Sequence, residues 1–481
     1  MEPKHNTIQN PAIEQAMAAV AAAVPKAQSD PRRPRYHFLP PANWMNDPNG
    51  TIYHNGFYHV FYQHNPYADH WDHMHWGHAR SRDLVHWEHL PIALWPSQEQ
   101  GEAHCFSGCA TVTEEGQPLL IYTSVAAGSR EERPANEQWG ALGDADWITW
   151  TKHPQNPLLS LETHGGPAFG GEWRDPYVFH ADGRTLLVVA GAFEDTAAVA
   201  LYEAQDGTLA RWHYRKLLYT EPRRQTRFLE CPNFFQVGDR WVLLTSPYRP
   251  VEYVTGDFDT DTLTFTPQRR GVLDPGYNEL ATANFYATNT LYAPDGRCIL
   301  LGWVRGFAPG RGWNGYLAVP RVLTIDSNYQ PCQEPIEELK QLRGAHHSTR
   351  DQMLDNNAIT VDRVAHPSVE ILLTLDPGDA AQSGLRFVPV DSAEQPVTIL
   401  FNRQVLLVNG VGVPYDWSPG ESIQLRLFLD GAGLELFADD GRVAVTHAVD
   451  LPIGGMDIEV FAPNGKAALI AYDRWEMKSI W

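Results

Sequence analysis

The sequence has few cysteines, no long apolar run and no excess of basic residues. Five of its 481 residues are cysteine, with no CxxC pair among them, so a disulfide scaffold and a structural zinc knuckle are both disfavoured. No apolar run approaches the roughly 18 residues that a membrane-spanning helix needs. Lys and Arg number 37 against 58 Asp and Glu, for a net charge of −21, and so acidic a chain would repel a phosphate backbone. We therefore expect neither a membrane nor a nucleic acid as partner.

The N-terminal stretch also lacks the basic start and the long leucine-rich run of a secretory signal. Asn10 and Pro11 suit the N-cap and the first position of a helix. Apolar residues then recur at helical spacing, at Ile13, Met17, Val20 and Val24. We expect one short helix within an extension over residues 1–30, packed on the same chain or on a second subunit, so a homo-oligomer stays open. The scattered cysteines and the lack of a secretory signal predict a reduced, cytoplasmic protein.

Aromatic residues are abundant, with 16 Trp, 19 Tyr and 19 Phe. Such rings stack on the C–H faces of sugars, but they also fill the cores of β-sheets, and composition alone does not separate the two uses. The length of 481 residues suits two or three domains, and the 43% of apolar residues suffices for a sizeable core.

One pattern occurs five times after a Pro- and Arg-rich segment at residues 31–41, for which we predict an extended linker. Each copy is a turn containing glycine followed by a β-rich run, as in HNGFYHVFYQHN and ADGRTLLVVAGA. The turn glycines, 55 to 67 residues apart, are Gly56, Gly116, Gly183, Gly238 and Gly296. That period holds about four strands of 5–6 residues with their loops, the unit of a β-propeller. We predict an all-β fold with a five-bladed β-propeller over residues 31–340; a β-sandwich with accidentally similar turns is the alternative.

A distinctive segment stands just before each turn glycine: WMNDPNG, CFSG, WRDP, ECP and NFYATN. Asp47 and Ser107 each lie nine residues before their glycine, and Asp175 and Glu230 each lie eight before theirs. Equivalent positions in the blades of a propeller face equivalent directions. If these segments form the innermost strands, three carboxylates from three blades meet at the central axis.

Three carboxylates held together cannot all ionise cheaply, so we expect one of them to have a raised pKa and to stay protonated near neutral pH. A protonated acid facing an ionised one is the arrangement that glycoside hydrolysis needs. Each motif also has a purely structural explanation. The NDPNG segment suits a β-turn, Arg174 and Asp175 suit a buried ion pair, and Glu230 suits a core acid. The shared register of the three acids across the repeats favours the catalytic explanation.

A metal site is a weaker alternative. The segment HWDHMHWGH contains four histidines, His70, His73, His75 and His78, but tryptophan and aspartate are interleaved and no second cluster is apparent. Cys231, directly after Glu230, suits a small packed residue that tunes its neighbour better than it suits a nucleophile. No Walker-type loop, dinucleotide-binding fingerprint or nucleophile elbow occurs, so we expect no metal and no cofactor.

Together, the segments resemble glycoside hydrolase family 32, the invertases and related β-fructofuranosidases. WMNDPNG, FSG, RDP and ECP stand in the family's order, and the likeness extends from about Tyr36 to the C-terminus. The resemblance implies a five-bladed propeller followed by a β-sandwich. It also implies retaining hydrolysis of β-fructofuranosyl bonds through a covalent fructosyl-enzyme, with a small sugar as the partner.

The resemblance further implies roles for individual residues. Asp47 matches the nucleophile, Glu230 the general acid/base, and Asp175 the transition-state stabiliser, with Arg174 beside it. The implied sugar-binding residues are Trp44, Asn46, Gln63, Trp71, Phe106, Ser107, Arg174 and Trp303, and more loosely Asp259, as an outer contact to the leaving-group sugar. One departure is Asn233, where many relatives carry aspartate after ECP.

Strand-like runs beyond a polar joint at residues 344–356 predict a β-sandwich over residues 351–481. Asp440-Gly441 and Asn464-Gly465 suit hairpin turns. The runs show no convergent acids, so packing on the propeller or oligomerisation is the expected task of this domain, with carbohydrate binding as the alternative.

The leading functional hypothesis is cleavage of sucrose to glucose and fructose. The same site would also serve sucrose 6-phosphate, raffinose, fructans or fructosyl transfer. A phosphorylated substrate would favour basic side chains at the mouth of the central funnel in which the three acids meet, and Arg305 and Arg311 are the candidates. A non-catalytic sugar-binding propeller is the hypothesis from a different class, and it would be expected to lack one of the three acids. A retaining mechanism predicts about 5–5.5 Å between the carboxyl groups of Asp47 and Glu230.

Overall fold

A computed structural model of the protein describes residues 10–128, 136–278, 282–390 and 394–481. The regular secondary structure is almost all β, as expected. The helices among the described residues are α1 (Pro11–Ser29) and two short 3-10 turns, η1 (Gln98–Gln100) and η2 (Glu337–Leu342). None of these helices is long and apolar enough to cross a membrane.

The N-terminal helix is confirmed, and α1 begins where the sequence predicts. The side chain of Asn10 accepts a hydrogen bond from the backbone N–H of Ala12 at 3.0 Å, which caps the helix. Its buried face is rotated from the expected one, because Ala16 and Val20 are buried whereas Met17 is 39% exposed. Residues 1–9 of the predicted extension lie outside the described residues.

The strands β1–β22 form five sheets, blades 1 to 5, in the order of the chain, so the five-bladed propeller is confirmed. Blade 1 contains β1 (Asn43–His54), β2 (Phe57–Asn65), β3 (His75–Ser81) and β4 (Trp87–Leu94). Blade 2 contains β5 (Glu102–Val112), β6 (Pro118–Ala126), β7 (Glu137–Gly143) and β8 (Trp150–Lys152). Blade 3 contains β9 (Trp173–Ala181), β10 (Arg184–Phe193), β11 (Thr196–Ala204) and β12 (Trp212–Pro222). Blade 4 contains β13 (Glu230–Val237), β14 (Arg240–Ser246), β15 (Glu252–Asp259) and β16 (Thr264–Val272). Blade 5 contains β17 (Phe285–Tyr292), β18 (Cys298–Val304), β20 (Tyr316–Leu317), β21 (Arg321–Ile325) and β22 (Pro331–Pro335), while β19 (Trp313–Asn314) joins blade 1.

The first strands of the blades, β1, β5, β9, β13 and β17, lie next to one another around the central axis, and β17 returns to β1. Two pairings close the ring. Strand β19 pairs in parallel with β1, with Trp313 opposite Asn43, and Phe38 forms a bridge with Leu317. The two ends of the propeller segment therefore fasten blade 1 to blade 5.

Each of the five turn glycines lies between the first and second strands of its blade and has a left-handed backbone. The φ angles are +84° at Gly56, +82° at Gly116, +74° at Gly183, +60° at Gly238 and +86° at Gly296. Glycine adopts this region without the steric cost that a Cβ atom brings. The repeat in the sequence therefore reflects a backbone requirement at one hairpin in every blade.

The C-terminal β-sandwich is also confirmed. Its strands are β23 (Arg343–Val364), β24 (Ser368–Asp376), β25 (Ser383–Pro389), β26 (Val397–Phe401), β27 (Val405–Val408), β28 (Val411–Pro414), β29 (Ile423–Asp430), β30 (Gly433–Ala438), β31 (Val443–Ala448) and β32 (Met456–Met477). The long strand β32 pairs with β25 through its N-terminal part and with β24 through its C-terminal part, so it belongs to both layers. Apolar side chains from both layers form one buried core.

The segment at residues 344–356 is a strand and not the joint that the sequence led us to expect. It belongs to β23, which pairs with β32 from Arg343 opposite Met477 to Val364 opposite Met456. Most of its side chains are exposed, because β23 lies along β32 and covers little of the core. A strand without a buried face carries no alternating pattern, so β23 could not be recognised from the sequence. The strand also crosses the limit at 351 that we predict for the sandwich domain, and the domain limits stay a prediction.

The Pro- and Arg-rich segment before the propeller is not a free linker. Its backbone N–H groups at Arg35, Tyr36 and His37 donate to the carboxylate of Asp430 in the sandwich, at 2.8–3.2 Å. The imidazole of His37 lies between Asp430 and Glu435, 2.9 Å from each. An extended segment leaves its N–H groups unpaired, and here a buried carboxylate of the other domain satisfies them. The segment therefore binds the sandwich to the propeller.

Candidate active site

Every first strand has a β-bulge at the segment that distinguishes its repeat. The pairing with the second strand shifts register between Met45 and Pro48, Cys105 and Gly108, Arg174 and Tyr177, Glu230 and Asn233, and Tyr286 and Asn289. A bulge bends a strand and redirects the side chains beside it. Repeated in each blade, the bulges bring side chains of separate blades together at one end of the axis.

Hydrogen-bond donors surround the carboxylate of Asp47 on β1. Its Oδ1 accepts from Asn46 Nδ2 at 3.0 Å, and its Oδ2 accepts from Ser107 Oγ at 2.5 Å and Gln63 Nε2 at 3.4 Å. Gln63 also donates to Ser107 Oγ, and Trp44 Nε1 donates to Asn46 Oδ1 at 2.7 Å. An ionised carboxylate only accepts hydrogen bonds, so this set of donors suits Asp47 as a carboxylate.

The side chain of Glu230, at the start of β13, lies between a guanidinium and a phenol. Arg174 Nη2 donates to its Oε1 at 2.7 Å, and the hydroxyl of Tyr286 lies 2.8 Å from its Oε2. The same guanidinium donates to Glu172 at 2.5 Å and to the hydroxyl of Tyr248 at 2.6 Å. Glu230 is thus held on two sides. Its side chain is still 19% exposed, so it remains accessible from the central funnel.

Asp175 on β9 is the most buried of the three acids. Its Oδ2 accepts the backbone N–H of Cys231 at 2.9 Å, and its backbone has a φ of +65°, which is uncommon for a residue other than glycine. Burial raises the pKa of Asp175 to about 7, with Arg174 opposing and Glu230 and Asp47 adding to the rise. Asp175 is therefore an acid that the surrounding protein holds near its protonated form.

Cys231 connects two of the acids. Its N–H donates to Asp175, and its Sγ lies 3.5 Å from Oδ2 of Asp47. Burial, and then the charges of the three carboxylates, raise the pKa of the Cys231 thiol. A protonated thiol is a weak donor and a poor nucleophile, which agrees with the packed, tuning residue expected from the sequence.

Two pairs of aromatic rings line the approach to the acids. Trp44 and Trp303 meet edge to face with centroids 5.6 Å apart, and Trp71 and Phe106 meet in the same way at 6.1 Å. Trp71 is 46% exposed at the rim, whereas Trp303 is buried. Of the nine predicted sugar-binding residues, eight thus surround the three acids or line their approach.

The comparison with known sequences and structures agrees with this geometry. The profile of the glycosyl hydrolases family 32 N-terminal domain matches residues 37–335, a stretch that contains all five blades and the three acids. The chain belongs to glycoside hydrolase family 32.

Relatives in family 32 match nearly the whole chain. The sucrose-6-phosphate hydrolase of Escherichia coli is 29% identical and is aligned over 92% of this chain and 94% of its own length. The levanase of Bacillus subtilis is 27% identical, over 93% of this chain and 71% of its own length. A mutant of the β-fructofuranosidase of Bombyx mori, solved in complex with sucrose, has a TM-score of 0.82 at 28% identity, and the match covers 98% of this chain and 99% of that one.

The loose assignment of Asp259 to a leaving-group contact is wrong. Asp259 is the last residue of β15, whereas the first, Glu252, pairs with Thr245 beside Ser246, the partner of Glu230. Seven steps along an extended strand cover roughly 23 Å. Asp259 therefore lies at the opposite end of blade 4 from the family 32 acids.

Two of the four histidines of HWDHMHWGH, His75 and His78, have separate structural contacts. His75 Nδ1 lies 2.5 Å from the carbonyl oxygen of His73, and His78 stacks on Phe61 with centroids 4.0 Å apart. Burial lowers the pKa of His75 to about 3 and also lowers that of His78, so both are neutral. Within the described ranges, no three His, Cys, Asp or Glu side chains gather as a set of metal ligands.

Sequence reasoning missed three residues that complete the surroundings of Glu230. Glu172 and Tyr248 contact Arg174, and Tyr286 contacts Glu230 itself. Tyr286 lies in NFYATN, the fifth of the segments that precede the turn glycines. Its place in the repeat was the available signal that Tyr286 lies near the acids, but the residue type alone does not indicate what a tyrosine does there.

Proposed function

We propose that the protein is a retaining glycoside hydrolase that cleaves the terminal β-D-fructofuranosyl bond of sucrose, giving glucose and fructose. The observation that supports this most is the convergence of Asp47, Asp175 and Glu230 around Cys231, with a different set of partners at each acid. Membership of family 32 supports the reaction class. The relative solved with sucrose supports the substrate.

Asp47 is the nucleophile in this proposal. The hydrogen bonds from Asn46, Ser107 and Gln63 fix the plane of its carboxylate before substrate arrives. One carboxylate oxygen forms a bond to the anomeric C2 of the fructosyl ring, while the bond from C2 to the glucosyl oxygen breaks. The transition state resembles an oxocarbenium ion, whose positive charge the nearby carboxylates stabilise.

Glu230 is the general acid and then the general base. It gives a proton to the departing oxygen, and it later takes one from the water that releases fructose from Asp47. The contact with Arg174 keeps its side chain facing the reacting bond. For a retaining mechanism we expect about 5–5.5 Å between the carboxyl groups of Glu230 and Asp47.

Asp175 stabilises the fructosyl ring through two of its hydroxyls. Because burial raises its pKa to about 7, both protonation states are accessible near neutral pH, so the carboxyl group can donate as well as accept hydrogen bonds. Its backbone bond from Cys231 holds it against β13, the strand that carries Glu230.

Sucrose 6-phosphate is the second candidate substrate. The guanidinium of Arg305 lies 4.0 Å from the ring centroid of Tyr286, whose hydroxyl contacts Glu230, so it could meet a phosphate on the leaving glucosyl group. Arg311 is committed to a two-bonded ion pair with Asp450, at 2.7 and 2.8 Å. Of the two arginines expected at the mouth, Arg305 is thus the one that supports a phosphorylated substrate, the substrate named for the Escherichia coli relative.

The experiment measures fructose release from sucrose, sucrose 6-phosphate, raffinose, inulin and levan by the purified protein. Asp47→Asn and Glu230→Gln should each lose on the order of 10²–10⁴-fold in kcat. Asp259→Asn is the matched control, because it removes a carboxylate at the far end of blade 4 and should retain activity. Activity on another substrate of the panel would relocate the function within the family. Silence on all five would favour a non-catalytic sugar-binding propeller.

A cytoplasmic location stays a prediction, and a homo-oligomer stays open. Fructosyl transfer is measured in the same assay by adding a sugar acceptor and comparing glucose release with free fructose.

A further inference from the structure

The hydroxyl of Tyr286 touches three groups at once. It lies 2.6 Å from the carbonyl oxygen of Ser246 and 2.8 Å from Oε2 of Glu230, and it accepts the backbone N–H of Tyr248 at 2.9 Å. Tyr286 comes from blade 5 and the other three from blade 4, so the contact spans two blades. With an exposure of 4%, the tyrosine meets these partners away from bulk water.

The protons at this hydroxyl can be counted. A phenol has one proton to donate and two lone pairs that accept. The N–H of Tyr248 occupies one lone pair, and the carbonyl of Ser246, which can only accept, takes the proton at 2.6 Å. The second lone pair is left facing Oε2 of Glu230 at 2.8 Å. Two lone pairs repel each other, so this contact is favourable when Glu230 itself carries a proton on Oε2.

We propose that Tyr286 is a positioning residue that holds Glu230 in its protonated, acid-competent form in the resting enzyme. This inference rests on the proposed function, in which Glu230 is the general acid. The contact of Arg174 decides which oxygen carries the proton, because a guanidinium donating to Oε1 leaves Oε2 for it.

The same contact serves the second half of the reaction. When Glu230 protonates the leaving oxygen, its O–H bond breaks, a new O–H bond forms on the glucosyl oxygen, and Oε2 becomes negatively charged. The phenol then turns its own O–H from the carbonyl of Ser246 to Oε2 and keeps its proton throughout. Attack of water on the fructosyl-enzyme returns a proton to Oε2, and the phenol turns back.

The titratable groups around Glu230 are two arginines, three acids and two neutral side chains. They are Arg174 of β9 and Arg305 behind the Tyr286 ring; Asp47 of β1, Asp175 of β9 and Glu172 just before it; and the neutral Cys231 of β13 and Tyr248 beyond β14. The arginines favour the carboxylate of Glu230, whereas ionised acids favour its protonated form. Burial raises the pKa of Tyr286, and the charge of Glu230 raises it further once Glu230 has given up its proton, so the phenol stays protonated and is free to turn.

Tyr286→Phe tests the proposal, because it removes the oxygen and keeps the ring. We expect the alkaline limb of kcat/KM for sucrose to move to lower pH by about half to one unit, the size of one net hydrogen bond. The activity of Tyr286→Phe on an aryl β-fructofuranoside with a good leaving group should fall much less than its activity on sucrose, because the aryl group departs with little protonation. Tyr292→Phe is the matched control, because Tyr292 lies on the same strand, is 51% exposed and bonds only to the backbone of Gln236 in the described part of the chain.

Movement of the alkaline limb to higher pH would overturn the proposal, because it would mean that Tyr286 donates to a resting carboxylate. An unchanged limb would overturn it as well. Should the variant not fold, infrared difference spectra of the parent against Glu230→Gln give a second reading: a protonated carboxylic acid band at neutral pH supports the proposal and its absence opposes it. If Glu230→Gln retained sucrose activity, the proposed function itself would fail. That result is distinct from an alkaline limb that Tyr286→Phe leaves unchanged, which would overturn only the role of Tyr286.

Discussion

Replacing His37 by glutamine is expected to remove a pH-dependent part of the stability. The imidazole is almost fully buried between the carboxylates of Asp430 and Glu435. Burial alone would lower the pKa of His37, but the hydrogen bonds and charges of the two carboxylates outweigh it and raise the pKa from 6.5 to about 9. His37 is therefore charged in the folded protein at neutral pH.

The two pKa values set the magnitude. A rise of about 2.5 pH units at 1.36 kcal/mol per unit corresponds to about 3 kcal/mol of free energy of unfolding. Because the folded pKa lies above the unfolded one, this stability is fully present below pH 6.5 and is lost as the pH rises through about 9. Glutamine keeps an amide donor at the site but no titrating charge.

Urea unfolding of the parent and of His37→Gln across this pH range is the assay. The difference in free energy of unfolding should be largest at the acid end and shrink toward the alkaline end. His86→Gln is the control, since this exposed histidine pairs with Asp83 at 2.9 Å and should contribute at most about 0.5 kcal/mol. A difference that is constant with pH, or that grows with it, would refute the reasoning, because packing and not charge would then be responsible.

Three further predictions concern the site and the domain junction. Cys231→Ala should lower kcat by no more than about tenfold, the cost of one net hydrogen bond, and alkylating reagents should not inactivate the folded parent, because the thiol is buried and protonated. Trp71→Ala should raise KM for sucrose by about 3- to 10-fold with kcat little changed, as expected for an aromatic contact at the rim of the site. Arg321→Met should lower the free energy of unfolding by about 3–5 kcal/mol in urea titration, because it leaves the buried carboxylates of Asp274 and Glu435 without their guanidinium partner.

The propeller could be predicted from the sequence because each blade repeats one backbone requirement. A left-handed residue closes the first hairpin of every blade, and glycine fills that position five times, from Gly56 to Gly296. The convergence of Asp47, Asp175 and Glu230 followed from the same register. Periodicity in the chain thus carries both the architecture and the place of the acids.

Spacing along the chain does not tell which end of a strand a residue occupies. Asp259 follows Glu230 in the same blade, but β15 runs away from the acids and ends with Asp259 at the opposite end of blade 4. Strand β23 was hidden for a related reason, since its side chains cover little of the core and leave no alternating pattern. Both errors concern pairing between strands, which a single sequence states only indirectly.

The network of hydroxyl groups around Glu230 could not be predicted from the sequence either. Tyr248 and Tyr286 are two of 19 tyrosines, and their meaning comes from the distances to Arg174 and Glu230. The carbonyl of Ser246, which decides where the phenol's proton goes, is a backbone group that no side-chain motif records.

The most direct test of the proposed chemistry is to trap the covalent intermediate. Glu230→Gln should still react with an aryl β-fructofuranoside, whose leaving group needs no proton, but it should lack the base that releases fructose. Peptide mass spectrometry of the quenched mixture should then find one fructosyl group on the peptide that contains Asp47, and Asp47→Asn in the same background should show none. A fructosyl group on another residue, or inversion of configuration at C2 in the product, would contradict the assignment of Asp47 as nucleophile and Glu230 as acid/base.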